Sequence, residues 1–298
     1  MAKLDLILVS SNTTVLSMFD SGQVDMGENP PVSDFPRLNQ EKKMRFSPFL
    51  GVDYYTFNVN KAPFDNMKVR KAFNLAINRQ AIIDQVLKGG QKAALAFVPY
   101  GLPDATPGED FRTKGGQYYQ DNDVAAAQRL LAEVGFPGGQ GLPPITLLYN
   151  SNENNKMIAE AVQEMWRKNL GVTVQLANQE WKVYLDTLDK RNYQVARDNW
   201  IGDYVDAMTF LDLFESTGGN NVPGYSSSQY DKLIETAKST PDQAVRMKAM
   251  HDAEKMLMED AVIMPIYFKT NPAMVKANVK GYIRAITGVT YFKEAYLE

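Results

Sequence analysis

The chain has 298 residues, 44% of them hydrophobic, enough for a sizeable core in two domains or in one large α/β domain with an appendage. Its 32 basic and 35 acidic side chains give a formal charge of −3, so there is no cationic excess to neutralise nucleic-acid phosphates or to hold an anionic membrane. Cysteine is absent and His251 is the single histidine, which removes thiol nucleophiles, disulfides and thiolate metal sites and leaves a histidine triad or metal site without its residues.

The opening MAKLDLILVSSNTTVL lacks the parts of a secretory leader, and no apolar run approaches the roughly 20 residues that span a bilayer. As written, the chain reads as soluble and not exported. Three apolar runs in the first sixty residues read as strands: Leu4–Val9, Met44–Leu50 and Asp53–Asn60. Pro63 and Asn66 then punctuate the entry to a helix with Val69, Ala72, Phe73, Ala76 and Ile77 on one face, and a second helix follows through Leu87. Residues 89–122 carry GG, PYGLPDATPGED and TKGGQ, a density of Gly and Pro that predicts a long surface connection.

From Asp123 the pattern is regular. A helix with Val124, Ala127, Leu131 and Val134 on one face stops at Gly135, with Pro137 beyond. A strand at Ile145–Tyr149, a helix at Met157–Leu170 ended by Gly171, and an alternating strand through Val172, Val174 and Leu176 make a β-α-β unit. Next come a helix at Trp181–Leu188, a strand at Tyr193–Trp200, and helices near Ala207–Phe214 and Ser228–Ala237. A long helix starts at Pro241, with Thr240 as its expected N-cap and Gln243 in the capping-box position. Strands Val262–Phe268 and Pro272–Val275 precede a tail without a clear period. The alternation indicates a mixed α/β lobe, and a fold alone does not give a function.

The common catalytic devices are missing: there is no GxGxxG after a strand, no P-loop, no HExxH and no G-x-S-x-G elbow. The densest carboxylate cluster is Asp198, Asp203, Asp206 and Asp212. Asp206 precedes a helix and reads as its N-cap, and no loop has the ligand spacing of a calcium or magnesium site. Asp203, in NWIGDY, sits just past a strand behind Trp200 and Gly202, where α/β sheets place ligands. It is either a solvated turn residue beside a core Trp, or an anion for an ammonium group against an apolar wall, with Gly202 permitting close backbone approach. Trp166 reads as core, whereas Trp181 and Trp200 fall at element boundaries where aromatic side chains line clefts. Arg197 is either paired with a nearby acid or a fixed cation for a ligand carboxylate. His251 reads as a surface residue of a polar helix face.

The stretch YYTFNVNKAPFDNMKVRKAFNLAINRQAIIDQVLKGG, residues 54–90, strongly resembles the signature of the family-five extracellular solute-binding proteins, the oligopeptide and dipeptide binders of ATP-binding cassette importers. The resemblance runs on through DVAAAQRLLAEVGF, ITLLYN, NLGVTVQLANQEWKVYLDTL, VARDNWIGDYVDAMTFLDLF, NNVPGYSSSQYDKLI and AVIMPIYF, and so covers essentially the whole chain. Leu4–Met26, with SGQVDM, resembles a segment from the middle of the family's pattern, so the preceding half is expected to be missing. The resemblance implies a periplasmic-binding-protein-like, type II clamshell: residues 63–266 as the complete second α/β lobe, 1–62 as a remnant of the first, and 267–298 as the return to it. It also implies an extended peptide ligand between two lobes, no cofactor, no metal, no catalysis, permease subunits of an importer as partners, and an extracytoplasmic full-length protein. The family's W-x-x-D pattern, whose Asp holds the peptide's α-ammonium, matches Trp200 and Asp203. Trp181 and Arg197 match positions that line side-chain pockets or meet the peptide carboxylate, Gly202 and Tyr204 flank the Asp, and Asn155 stands where some relatives carry a basic residue. Binders of nickel, sugars or opines within the family, and a two-carboxylate hydrolase outside it, are the competing readings.

Overall fold

The computed structural model describes residues 3–298. Its strands are β1 (Met26–Glu28), β2 (Met44–Phe57), β3 (Lys92–Ala93), β4 (Ile145–Asn150), β5 (Val174–Gln179), β6 (Val195–Ile201) and β7 (Ile263–Val275). They form one sheet in the order β1-β7-β2-β6-β4-β5, with β3 also on β7. The β1, β3, β7, β2 and β6 pairings are antiparallel, whereas β6, β4 and β5 run parallel. The tail adds two small two-stranded sheets, one nested inside the other in sequence. The helices are α1 (Asn12–Asp20), α2 (Phe35–Gln40), α3 (Met67–Leu75), α4 (Arg79–Ile82), α5 (Phe111–Gly115), α6 (Val124–Glu133), α7 (Glu153–Leu170), α8 (Trp181–Asp189), α9 (Met208–Leu211), α10 (Ser228–Ser239) and α11 (Gln243–Glu259).

Local chemistry explains most boundaries. Asn66, Asp123 and Asn152 accept backbone N–H bonds as N-caps of α3, α6 and α7, and Gly171 ends α7 at φ 70°, a conformation that costs an L side chain energy. The expected β-α-β unit is β4-α7-β5, with its strands in parallel register from Ile145 opposite Val174 to Asn150 opposite Gln179.

Helices cover both faces of the sheet, because apolar side chains alternate on its strands. One face packs Tyr55, Phe57, Leu147, Val195 and Met264 against Phe73, Leu131 and Trp166. The Trp166 indole, fully buried, donates to the Phe73 carbonyl at 2.8 Å. The other face packs Val52 and Tyr54 against Phe210, Tyr230 and Leu257, while Tyr184 and Leu188 of α8 cover Leu148 and Ala196. A smaller core of Leu16, Phe19, Phe35, Leu38, Met44 and Met274 joins α1 and α2 to the outer ends of β2 and β7.

Four expectations of secondary structure need correction. Residues 4–9 form no strand, and Leu4, Leu6, Ile7 and Leu8 are exposed: alternation marks a potential strand, but no strand lies beside this one to pair with it. The first sixty residues contain two helices, α1 and α2, where only strands were expected. Met44–Leu50 and Asp53–Asn60 merge into β2, and the last two expected strands merge into β7, because the two pair with each other on both sides of an irregular stretch at Phe49–Gly51. Finally, α11 begins at Gln243 under Asp242, which accepts from the N–H groups of Ala244 and Val245; Thr240 instead ends α10 and accepts the Asp242 N–H.

The connection through residues 89–122 is held by one fully buried carboxylate. Glu254 of α11 accepts the N–H groups of Phe97 and Val98 at 3.0 and 2.7 Å and the Tyr118 hydroxyl at 3.3 Å, and it pairs with buried Arg112. His251, expected on the surface, is half-buried: it stacks on Phe111 with centroids 3.9 Å apart and meets Asp104 at 2.7 Å.

Where β2 meets β6, Asp198 lies opposite Tyr54 and accepts its hydroxyl at 3.1 Å. Burial pushes the Asp198 carboxyl up to about 6. The native state therefore keeps a proton that the unfolded chain releases near pH 4, and stability should fall as pH rises from about 4 to about 6, by no more than about 3 kcal/mol. Denaturant titrations across this range should show that slope in the native chain and lose it in Asp198→Asn; parallel profiles would contradict it. Glu254→Gln leaves Arg112 buried without its counter-charge and should cost about 3–5 kcal/mol in urea unfolding; a loss below about 1 kcal/mol would show that the pair does not anchor the connection.

Candidate functional site

The carboxyl ends of β4, β5 and β6 lie at one end of the parallel half of the sheet, where α/β proteins place ligands. After Ile201 the chain turns sharply. The Gly202 N–H donates to the Leu50 carbonyl at 2.8 Å, and a Cβ there would stand 2.8 Å from Leu50 Cδ2 and 3.2 Å from Phe210 Cε2. Gly202 is thus required for close packing within the chain.

Asp203 follows, exposed, with its backbone N–H on Thr209 Oγ1 at 3.1 Å. Its carboxylate makes no hydrogen bond or ion pair among the described residues. Trp200 is half-buried against the core beneath it, opposite Val52, and its indole N–H has no partner among the described residues. Ile201, Tyr204 and Val205 leave apolar surface exposed around the same turn. Trp181 opens α8, 53% exposed, and stacks on Tyr184 at 6.2 Å.

Arg197 and Asn155 belong to a second, buried constellation. The Arg197 fork grips Asp53 of β2 through Nε and Nη2, and its Nη1 donates to Asn150 Oδ1 at 3.3 Å. Asn155, in the first turn of α7, donates to the same Asn150 oxygen at 2.9 Å and to its carbonyl at 3.2 Å. Lys269 of β7 closes the other side of Asp53 at 3.1 Å. Arg197 and Lys269 together hold the Asp53 carboxyl below its ordinary range although burial opposes them, and burial lowers Lys269. Of the two readings of Arg197, the structure contains the pairing with a nearby acid.

Sequence reasoning passed over Asp53, Lys269 and Asn150. One signal existed for Asp53: an acid inside a run of strand residues must find a cation if it is buried. The acid cluster read from the sequence does not converge. Asp206 accepts the Met208 N–H at 2.9 Å and forms a fork with Arg246 at 2.8 Å on both oxygens, while Asp198 faces Tyr54. Among the described residues, no three His, Cys, Asp or Glu side chains stand close enough to hold a metal.

Residues 1–222 match the model of the bacterial extracellular solute-binding proteins, family 5 middle. The chain is 37% identical to the oligopeptide-binding protein OppA of Bacillus subtilis (strain 168) over 99% of its own length and 55% of that protein's. The unliganded open form of the murein tripeptide-binding protein MppA superposes with a TM-score of 0.82 at 34% identity, over 97% of this chain and 56% of MppA. OppA of Haemophilus influenzae in complex with RPPGFSPFR superposes at 0.77 with 33% identity, over 96% and 56%. The chain therefore spans about half the length of the relatives it matches, and it has the type II periplasmic-binding fold over that half. It belongs to the bacterial extracellular solute-binding proteins of family 5.

Proposed function

We propose that this chain forms one wall of a peptide-binding cleft, in an extracytoplasmic binding protein that hands peptides to the permease subunits of an ATP-binding cassette importer. The observation that carries the reading is the Asp203 carboxylate: exposed, without an internal partner, and held at a strand end beside Trp200. An anion in that position can take the α-ammonium of an extended peptide, with Trp200, Gly202 and Tyr204 around it and Trp181 across the strand ends. The names of the relatives, binders of oligopeptides and murein peptides, support the same ligand class. Arg197 is 8% exposed and already engaged by Asp53 and Asn150, so it meets a ligand carboxylate only where Asn150 gives way. Asn155 adds no charge there.

We assign residues 63–266 to this wall and the flanks 1–62 and 267–298 to what remains of the opposing one. We take the role as binding and not hydrolysis: the relatives are named as binding proteins, and of the three acids near Asp203, two, Asp198 and Asp206, are turned to Tyr54 and Arg246.

A single wall supplies only part of the burial and backbone bonding of a closed cleft, so the 298-residue chain should bind peptides more weakly than about 1 µM in calorimetry, and mass spectrometry should return the peptides uncleaved. Tighter binding would contradict the division into walls, and cleavage would contradict the binding role.

In a chain extended to the length of its relatives, Asp203→Asn should cost about 2–4 kcal/mol of peptide affinity, because the ammonium loses its counter-charge. Acetylating the peptide N-terminus should cost a similar amount with unmutated protein. The two losses should not add, since they break one interaction. Full additivity across the four combinations would remove Asp203 from the α-ammonium site.

A further inference from the structure

Strands β2 and β7 leave the main sheet together and carry the small core of α1 and α2 at their outer ends. Their ladder is irregular where they leave it. Pro48 stands opposite Thr270 and Val52 opposite Phe268, so Phe49, Leu50 and Gly51 face Lys269 alone. A second irregularity of opposite sense follows at once, since Asp53 pairs with Tyr267 and Tyr54 with Pro265. Extra residues in one strand disrupt the ladder locally and are where a strand pair bends and twists.

The Lys269 side chain crosses this gap. Its stem passes Gly51, where a Cβ would stand 2.9 Å from Lys269 Cδ, and its ammonium reaches Asp53 Oδ2 at 3.1 Å. Asp53 is fully buried and is gripped from the other side by Arg197 of β6. One line of charge, cation–anion–cation, therefore spans the irregular stretch from β7 through β2 to β6, where backbone hydrogen bonds are fewest.

We propose that Lys269, Asp53 and Arg197 form a latch that sets the angle at which β2 and β7 leave the main sheet, with Phe49–Gly51 and Lys269–Asn271 as the pivot. Charge supplies the stiffness that the broken ladder does not, because a buried ion pair with two-sided contacts holds its geometry tightly and is little screened. Losing the Lys269 ammonium would free the pivot while Asp53 keeps Arg197, so the fold would survive. The latch belongs to the ligand-free chain and depends on no particular ligand.

The test uses the whole chain as Lys269→Met and Lys269→Arg. Hydrogen exchange read by mass spectrometry should be on the order of tenfold faster in Lys269→Met across residues 46–53 and 267–272, with β4 and β5 unchanged. Spin labels at exposed Asn39 and Glu235 should show a wider distance distribution in the same variant. Lys269→Arg, which keeps the charge, should match the native chain in both readouts. Native exchange in Lys269→Met, uniform acceleration over the whole sheet, or equal changes in both variants would overturn the latch.

Discussion

A single buried carboxylate joins the two halves of this sheet. Asp53 sits on β2, the strand with the antiparallel pair β2–β7 on one side and, through β6, the parallel strands on the other. A carboxylate removed from water is several kilocalories per mole out of balance unless cations and hydrogen bonds surround it. Arg197 and Lys269 meet that demand from the strands on either side. The constraint then propagates, since Arg197 reaches Asn150 at the end of β4 and Asn150 reaches Asn155 at the start of α7. Charge at the centre of the sheet thereby orders the strand ends to which the proposed site belongs.

The same accounting singles out Asp203. Two of its acidic neighbours are engaged: Asp206 by Arg246 and a helix N–H, Asp198 by Tyr54 and the Asn199 N–H. Asp203, the exposed member, has a carboxylate without a partner among the described residues, as the half-buried Asp212 also does, while its backbone is tied to Thr209 and the preceding Gly202 to Leu50. A rigid backbone under a free anion is the arrangement that binds with little ordering cost, because the position of the charge is set before the partner arrives.

Elements whose signals are local were legible in the sequence. Apolar spacing and helix-stop or cap residues gave α3, α6 and α7, short apolar runs gave β4 to β6, and NWIGDY placed an acid just past a strand end. The start of α11 was missed by two residues because Thr240 and Asp242 are both good caps, and only the chain path shows that Asp242 reaches the helix N–H groups. The buried ion cluster had no local signature. Its members lie 144 and 216 residues apart and meet only through strand order, which residue spacing does not encode. Residues 4–9 failed for the complementary reason: their pattern is that of a strand, but a strand is defined by its neighbour.

Exposed apolar side chains are unevenly distributed, and their places bear on how the wall works. Leu4, Leu6, Ile7 and Leu8 at one end and Ile283, Tyr291, Tyr296 and Leu297 at the other stand in water, and between them exposed apolar side chains gather on α8 (Trp181, Val183, Leu185) and around Asp203 (Ile201, Tyr204, Val205). Exposed apolar surface of this kind commonly marks a face that another segment covers. On the proposed division, both the flanks and the strand-end face around Asp203 present apolar surface that an opposing segment would cover. The backbone that carries Asp203 is fixed by Thr209 and Leu50 within the chain itself, so in the proposed role the charge is in place before a ligand or opposing surface arrives. Closure of an opposing wall, as proposed, would add burial around that ion pair, and desolvation would strengthen the pair as water leaves. Recognition of the ammonium is on this view a property of one wall, and tight binding a property of two.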